Sequence, residues 1–327
     1  MRIESRTRTP DEPLDVDRRS GTDLRKASPE RRELPPPPDT PDRLAFFTGL
    51  GMHATTAVDA AGAVRPGDRD TVVGRRLDAL RDRFAGPYVV DGATVTARPM
   101  FRMNEGANER SAKAHAKELD VIAARARVNV VMVRLGQGSP RDLVKITQAL
   151  IDAGKLPPPP GEVATRIRRM QWEWGIGVDC AGYTYQAAVA ASGVGAGQLG
   201  LKPPGFEDFR AMGDPAKRFA KIDPTLARPG DVMTLDPQPP EKVGHNVIVR
   251  SHTTTGTLHV FEVDSSWGAG PDGADYGGFR RDTWTYDDAT KLWTWTNNHV
   301  SPPTTEVSLD GPAGERFHGC YRPKVGT

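Results

Sequence analysis

The chain has 327 residues, 37% of them apolar, with 29 prolines and 34 glycines, a composition that predicts long loops around one large domain or two. Its 44 basic and 42 acidic residues leave a net charge of +2, which excludes the basic excess of a dedicated nucleic-acid binder. Two cysteines make no disulfide scaffold, no C-x-x-C or H-E-x-x-H occurs among seven scattered histidines, and no apolar run is long enough to span a membrane, so no metal, cofactor or membrane span is expected.

Residues 1–43 are charged and proline-rich, ending in Pro35-Pro36-Pro37-Pro38-Asp39. They hold too little apolar surface to offset the entropy of ordering and read as a disordered tail. Met1 to Ser20 lacks the apolar stretch of a secretory signal peptide. The expectation is synthesis in the cytoplasm and export or injection by a specialised secretion apparatus, with residues 1–43 either an inert leader or its address.

Residues 44–155 read as an accessory region, mostly helical with one hairpin. Thr71 to Phe84 places Val72, Val73, Leu77, Leu80 and Phe84 on one helical face. Tyr88 to Thr96 predicts a hairpin, because Asp91-Gly92 suits a type I′ turn. Glu105 to Val128 reads as a helix, and Met132 to Leu135 runs into the breaker Gly136-Gln137-Gly138. Ser139 then caps a helix with Pro140 at its first position and Leu143, Ile146 and Leu150 on one face, ending at Gly154. His53 and His115 stand alone in the sequence and read as surface or packing residues.

The remainder, 156–327, carries the chemistry. Pro157 to Pro160 is a stiff joint, and Glu162 to Trp172 a basic helix. Then Gly175-Ile176-Gly177-Val178-Asp179-Cys180 runs into a helix through Ala191. A thiol in the first turn of a helix lies at the positive end of the macrodipole, where thiolate is favoured. A lone cysteine also serves as a small buried hydrophobe. Ser192 to Arg228 is a Gly- and Pro-rich insert that Phe206, Phe209 and Phe219 would pin to the body. Strands are expected at Asp231–Leu235, Val243–Arg250, Leu258–Ser265, Asp282–Asp287, Leu292–Thr296 and Phe317–Tyr321. A helix with the cysteine followed by antiparallel strands is an α+β order.

A cysteine nucleophile needs a base and a polar group to hold that base. His245 opens one expected strand and Asp264 closes the next. A turn over Thr253-Thr254-Thr255-Gly256 sets the two side by side on one face, about 4.5–5.5 Å apart at Cβ. A shift of two residues would substitute Glu262. His259 falls on the opposite face, and His252, His299 and His318 lie in turns or near strand ends.

Trp174-Gly175, Asp179-Cys180-Ala181-Gly182-Tyr183, Arg228-Pro229-Gly230-Asp231-Val232 and Gly244-His245 resemble, in that order, the blocks of the NlpC-type cysteine peptidases. These are papain-like cell-wall enzymes with the CHAP amidases as relatives, and the resemblance covers about residues 162–321. It implies a papain-like fold, a nucleophile-bearing helix on an antiparallel sheet. It implies Cys180 as nucleophile, His245 as general base, Asp264 (or Glu262) orienting it, and Asp179 flanking an oxyanion hole. Trp172, Trp174, Ala181 and Trp267 would line the cleft. Ala181 stands where the family usually has serine, and Trp172 or Trp174 where it has tyrosine.

The implied activity is hydrolysis of amide bonds in peptidoglycan peptides, by an exported effector or toxin with an immunity protein as a further partner. The alternatives are a deamidase, transamidase or acyltransferase acting on a protein or lipid, and a non-catalytic binding module on a peptidase scaffold.

Overall fold

A computed structural model describes residues 68–102, 109–201, 218–236, 244–268, 277–297, 304–308, 311–312 and 316–324. All belong to one compact unit, Leu44–Thr327. The tail at 1–43, His53, Phe206, Phe209 and His299 lie outside the described residues. Among those residues, no helix is long and apolar enough to cross a membrane.

The architecture is α+β: helices on one side of an antiparallel sheet. Helix α1 spans Asp68–Phe84 and buries Val73, Leu77, Leu80 and Phe84, the face its periodicity predicts. Strands β1 (Tyr88–Val90) and β2 (Ala93–Val95) form the expected hairpin. Both turn residues, Asp91 and Gly92, have positive φ, as a type I′ turn requires. Helices α2 (Glu109–Ala126) and α3 (Val130–Arg134) follow. Helix α4, Pro140–Asp152, starts as predicted: Ser139 Oγ accepts from the Asp142 N–H at 3.1 Å. Helix α5 (Val163–Trp174) ends at Gly175, left-handed at φ 62°, where a side chain would collide with Ala112 of α2. Helix α6, Cys180–Ser192, is apolar nearly all round, and Tyr183, Ala187, Ala188 and Ala191 are buried. Such a helix must be covered on every side.

The sheet has the order β3-β10-β4-β5-β6-β7-β8-β9, every neighbouring pair antiparallel. Its strands are β3 (Phe219–Ile222), β4 (Val232–Asp236), β5 (His245–Thr255), β6 (Leu258–Trp267), β7 (Gly278–Asp287), β8 (Leu292–Asn297), β9 (Thr304–Ser308) and β10 (Arg316–Pro323). Strands β3 and β9 carried no clear signal in the sequence. Both faces are buried. Val232, Ile248, Phe279 and Tyr321 join Tyr183, Ala187 and the α1 residues in the helical core. Met233, Leu235, Val247, Val249, Phe261, Val263, Trp284, Trp293, Trp295 and Cys320 form a second core on the other face. Val247-Ile248-Val249 thus alternates between two cores, which is why it reads as a continuous apolar run.

The β5–β6 hairpin departs from its expected register. The three threonines stay in the strand, Thr255 pairs with Leu258, and the turn is Gly256-Thr257, with φ 62° at Gly256. β-Branched threonines favour extended backbone, and glycine takes the left-handed position without strain. A shift between Val249 and Ser251 adds Arg250 as a bulge. Asp264 therefore pairs with Ile248, not His245. Its carboxylate, fully buried, accepts from Arg81 at 3.0 Å, Arg250 at 3.3 Å and Arg281 at 3.0 Å. Asp78 on α1 accepts from Arg250 at 2.6 Å and Arg281 at 3.3 Å. The cluster fastens α1 to β5, β6 and β7.

Removing one partner from a buried ionic cluster strands the others. Urea titration of Asp264→Ala is expected to show a loss of about 3–5 kcal/mol. A loss below about 1 kcal/mol would class the cluster with ordinary surface pairs.

Candidate active site

Cys180 is the first residue of α6, and Asp179 is its N-cap. The Asp179 carboxyl accepts from the Gly182 N–H, and the Asp179 N–H donates to Gly136 O at 2.8 Å. A side chain at Gly182 would meet Gly136 O and Gln137 Cα, and one at Gly136 would meet Arg102 O and Asp179 N. Those two glycines let the Gly136-Gln137 turn lie directly on the first turn of α6. Gln137 is buried there and hydrogen-bonds the Asp179 carboxyl. In the sequence Gly136-Gln137-Gly138 reads only as a breaker, and its place beside Asp179 and Gly182 has no local signal.

Val178, two residues before the thiol, is held from both sides of the fold. Its N–H donates to Met100 O at 3.0 Å and its carbonyl accepts from the Arg102 N–H at 3.3 Å. Ser266 Oγ, on β6, donates to the same carbonyl at 2.6 Å. One turn past the thiol, Thr184 Oγ1 donates to Asn246 O at 3.1 Å. These bonds dock the start of α6 against the start of β5. Cys180 is 7% exposed, and its Sγ lies 4.0 Å from Gly244 O. The structure thus brings the Cys180 and Gly244-His245 motifs together.

His245 is the first residue of β5 and is buried. It pairs with Leu235, and strand alternation places it on the face of Val247, with the second core. Its ring meets Trp267, centroids 3.7 Å apart and planes tilted by 48°. Nε2 is buried with no hydrogen-bond partner. Burial pushes the imidazole pKa down to about 3; Asp282 opposes that shift and Arg280 adds to it. The Arg280 guanidinium lies 5.2 Å from the Trp267 ring centroid and pairs with Asp282 at 3.4 Å. Burial also pushes the Asp179 carboxyl up to about 7, against the hydrogen bonds from Gly182 and Gln137.

Other expected site residues lie elsewhere. Asp264 is committed to its three arginines, and Glu262 pairs with Ser251, whose hydroxyl it accepts at 3.2 Å. Neither is set opposite His245, because the Gly256-Thr257 turn and the bulge displace the register. Trp174 is not a cleft wall. It is buried in the helical core, stacked on His115 at 4.5 Å and faced by Lys155 at 5.8 Å. Trp172 and Ala181 are half-buried on α5 and α6. His252 donates from Nδ1 to Ala227 O at 2.7 Å and shares Nε2 with His259 Nδ1 at 3.0 Å, toward the hairpin turn. Among the described residues, no three His, Cys, Asp or Glu side chains gather as metal ligands would.

Comparison of the chain with family models, with curated proteins and with solved structures finds no match. The resemblance drawn from the motifs stands on those residues alone.

His245 and Asp179 act oppositely on the pH dependence of folding. An unfolded histidine titrates near 6.5 and an aspartate near 3.9. Below pH 6.5 the unfolded chain binds a proton that folded His245 refuses, down to about 3, so stability falls by about 1.4 kcal/mol per unit of acidification. Above pH 3.9 the unfolded chain releases a proton that folded Asp179 keeps, up to about 7, so stability falls at a similar slope as pH rises. Between about pH 4 and 6.5 the two slopes cancel. Denaturant melts over that range are expected to unmask each group. His245→Gln should weaken as pH rises. Asp179→Asn, which still caps α6, should weaken as pH falls. Matching slopes in the two variants would refute this opposition.

Proposed function

We propose that the protein is a thiol-dependent amide hydrolase, with Cys180 as nucleophile and His245 as base. The observation that carries this reading is the docking of the first turn of α6 on Gly244-His245, with Sγ 4.0 Å from the Gly244 carbonyl. A thiol in that turn faces the positive end of the helix, which favours the thiolate. His245 Nε2 makes no hydrogen bond that would compete for it, and burial keeps the ring neutral at physiological pH. The proton moves from sulfur to the imidazole as the attack occurs.

The steps follow from these roles. Nε2 takes the thiol proton while sulfur bonds to the amide carbonyl carbon, placing negative charge on the carbonyl oxygen. Collapse expels the amine, which takes the proton back from the imidazolium. Water, deprotonated by the same nitrogen, then attacks the thioester; its hydroxyl becomes part of the released acid and its proton returns to sulfur. The substrate class implied by the motif resemblance is a peptide of the bacterial cell wall, with half-buried Trp172, Ala181 and Trp267 as candidate contacts. One observation favours a second reading, binding without hydrolysis: His245 lies on the face of the second core, packed on Trp267, while α6 packs in the helical core, and Nε2 makes no bond to the thiol.

The deciding experiment incubates purified peptidoglycan with wild type, Cys180→Ala and His245→Gln. The expected result is fragments from the wild type alone, with each variant slower by about 10³-fold or more. Equal release by wild type and Cys180→Ala would overturn the role of the thiol. Retention of sacculi without release by any of the three would favour the binding reading.

A further inference from the structure

A thiol dyad ordinarily keeps its imidazole in place through one hydrogen-bonded polar residue. Here the register commits Asp264 elsewhere, and an aromatic ring stands beside the histidine instead. Trp267, the last residue of β6, touches His245 at 3.7 Å between centroids, has Arg280 5.2 Å from its own, and lies nearly parallel to Trp295 at 6.2 Å. Arg280 and Asp282 are two residues apart on β7, so both share the face of their β6 partners Ser265 and Val263. Their side chains are 9% and 2% exposed. Among the described residues, the ionisable groups around His245 come from two elements. Strand β7 supplies Arg280 and Asp282. The α6 end supplies the Cys180 thiol and the buried Asp179 carboxyl. Strand β4 presents Leu235, and the Asp264 carboxylate of β6 is on the other face.

We infer that Trp267 and the Arg280–Asp282 pair are the positioning residues of His245, fixing the imidazole by tilted ring contact and setting its proton affinity through fixed charge and excluded water. This rests on the base role given to His245 above. Trp267 couples the two functions. Its ring is a plate against which the imidazole is oriented, and Arg280 over the same ring holds that plate. The plate also keeps water from the imidazole, which disfavours the imidazolium. Arg280 disfavours the imidazolium further and Asp282 favours it, so the pair trims the basicity in opposite directions.

The test reads the imidazole itself, by ¹⁵N NMR titration of the full chain, with the His245 resonance assigned by its loss in His245→Gln. In the wild type the ring is expected to stay neutral from pH 8 to pH 5. Trp267→Ala admits water and should bring a midpoint into the range between about pH 5 and 7. Trp267→Phe keeps the plate and should keep the ring neutral. Within Trp267→Ala, adding Asp282→Asn should lower the midpoint and adding Arg280→Met should raise it, each by up to about one unit. If Trp267→Ala fails to fold, Trp267→Leu, which keeps bulk without the π face, carries the same expectation of a raised midpoint.

A wild-type midpoint near 6.5, an unmoved ring in the folded Trp267 variants, or charge variants shifting the same way would each overturn the inference. The pH–rate profile of hydrolysis is the separate readout for the function. A midpoint that moves as stated while the rate ignores it supports the positioning role and removes His245 as base. An unmoved midpoint overturns the positioning role whatever the rate does.

Discussion

The carboxylate of Asp264 holds the centre of this fold. It is wholly buried and answered by three guanidinium groups from α1, β5 and β7. In a sheet a slip of one residue sends every side chain to the opposite face. A slip here would carry Asp264 away from Arg81 and Arg250 into an apolar core, leaving buried charge uncompensated. The ionic cluster therefore locks the β5–β6 register, and that register decides what stands beside His245. The arginine on the bulge, Arg250, is one of the three partners, so the irregularity in the strand and the ion cluster support each other.

The loop that carries Cys180 is assembled from segments distant in sequence. Met100 and Arg102 bind Val178 from one side, Ser266 from the other, and Gly136-Gln137 covers Asp179. The core beneath the loop runs from Val73 to Tyr321 and includes side chains of α1, α2, α4, α5 and α6. A change in the chain before residue 155 therefore has direct routes to Cys180, through backbone hydrogen bonds and through packing. The helix itself adds to this rigidity: with small residues at Ala187, Ala188 and Ala191 it approaches its neighbours closely, and its first turn has little freedom to shift.

Much of the secondary structure was legible because its signals are local. Ser139-Pro140 at a helix start, Asp91-Gly92 in a two-residue turn and the apolar face of α1 each specify structure within a few residues. Cys180 at a helix start and its nearness to Gly244-His245 could be read from the order of motifs. The partner of His245 could not. It depends on which of four consecutive residues, Thr253 to Gly256, turns the chain, and on a bulge at Arg250 that leaves no mark in the hydrophobic pattern. The same holds for Gln137, whose place beside Asp179 arises from packing between segments about 40 residues apart. Tryptophan suits both cores and binding surfaces, and only the neighbours of Trp174, His115 and Lys155, distinguish the two for it. Strands β3 and β9 are four and five residues long, too short to show a period.

The opposed behaviour of Asp179 and His245 also bears on how a substrate would reach the thiol. Between about pH 3 and pH 7 the folded site holds Asp179 protonated and His245 neutral, while Arg280 and Asp282 offset each other. These groups together present no net charge to an approaching molecule. Long-range electrostatic steering, which accelerates encounter in many enzymes and fades with added salt, then has no source among them.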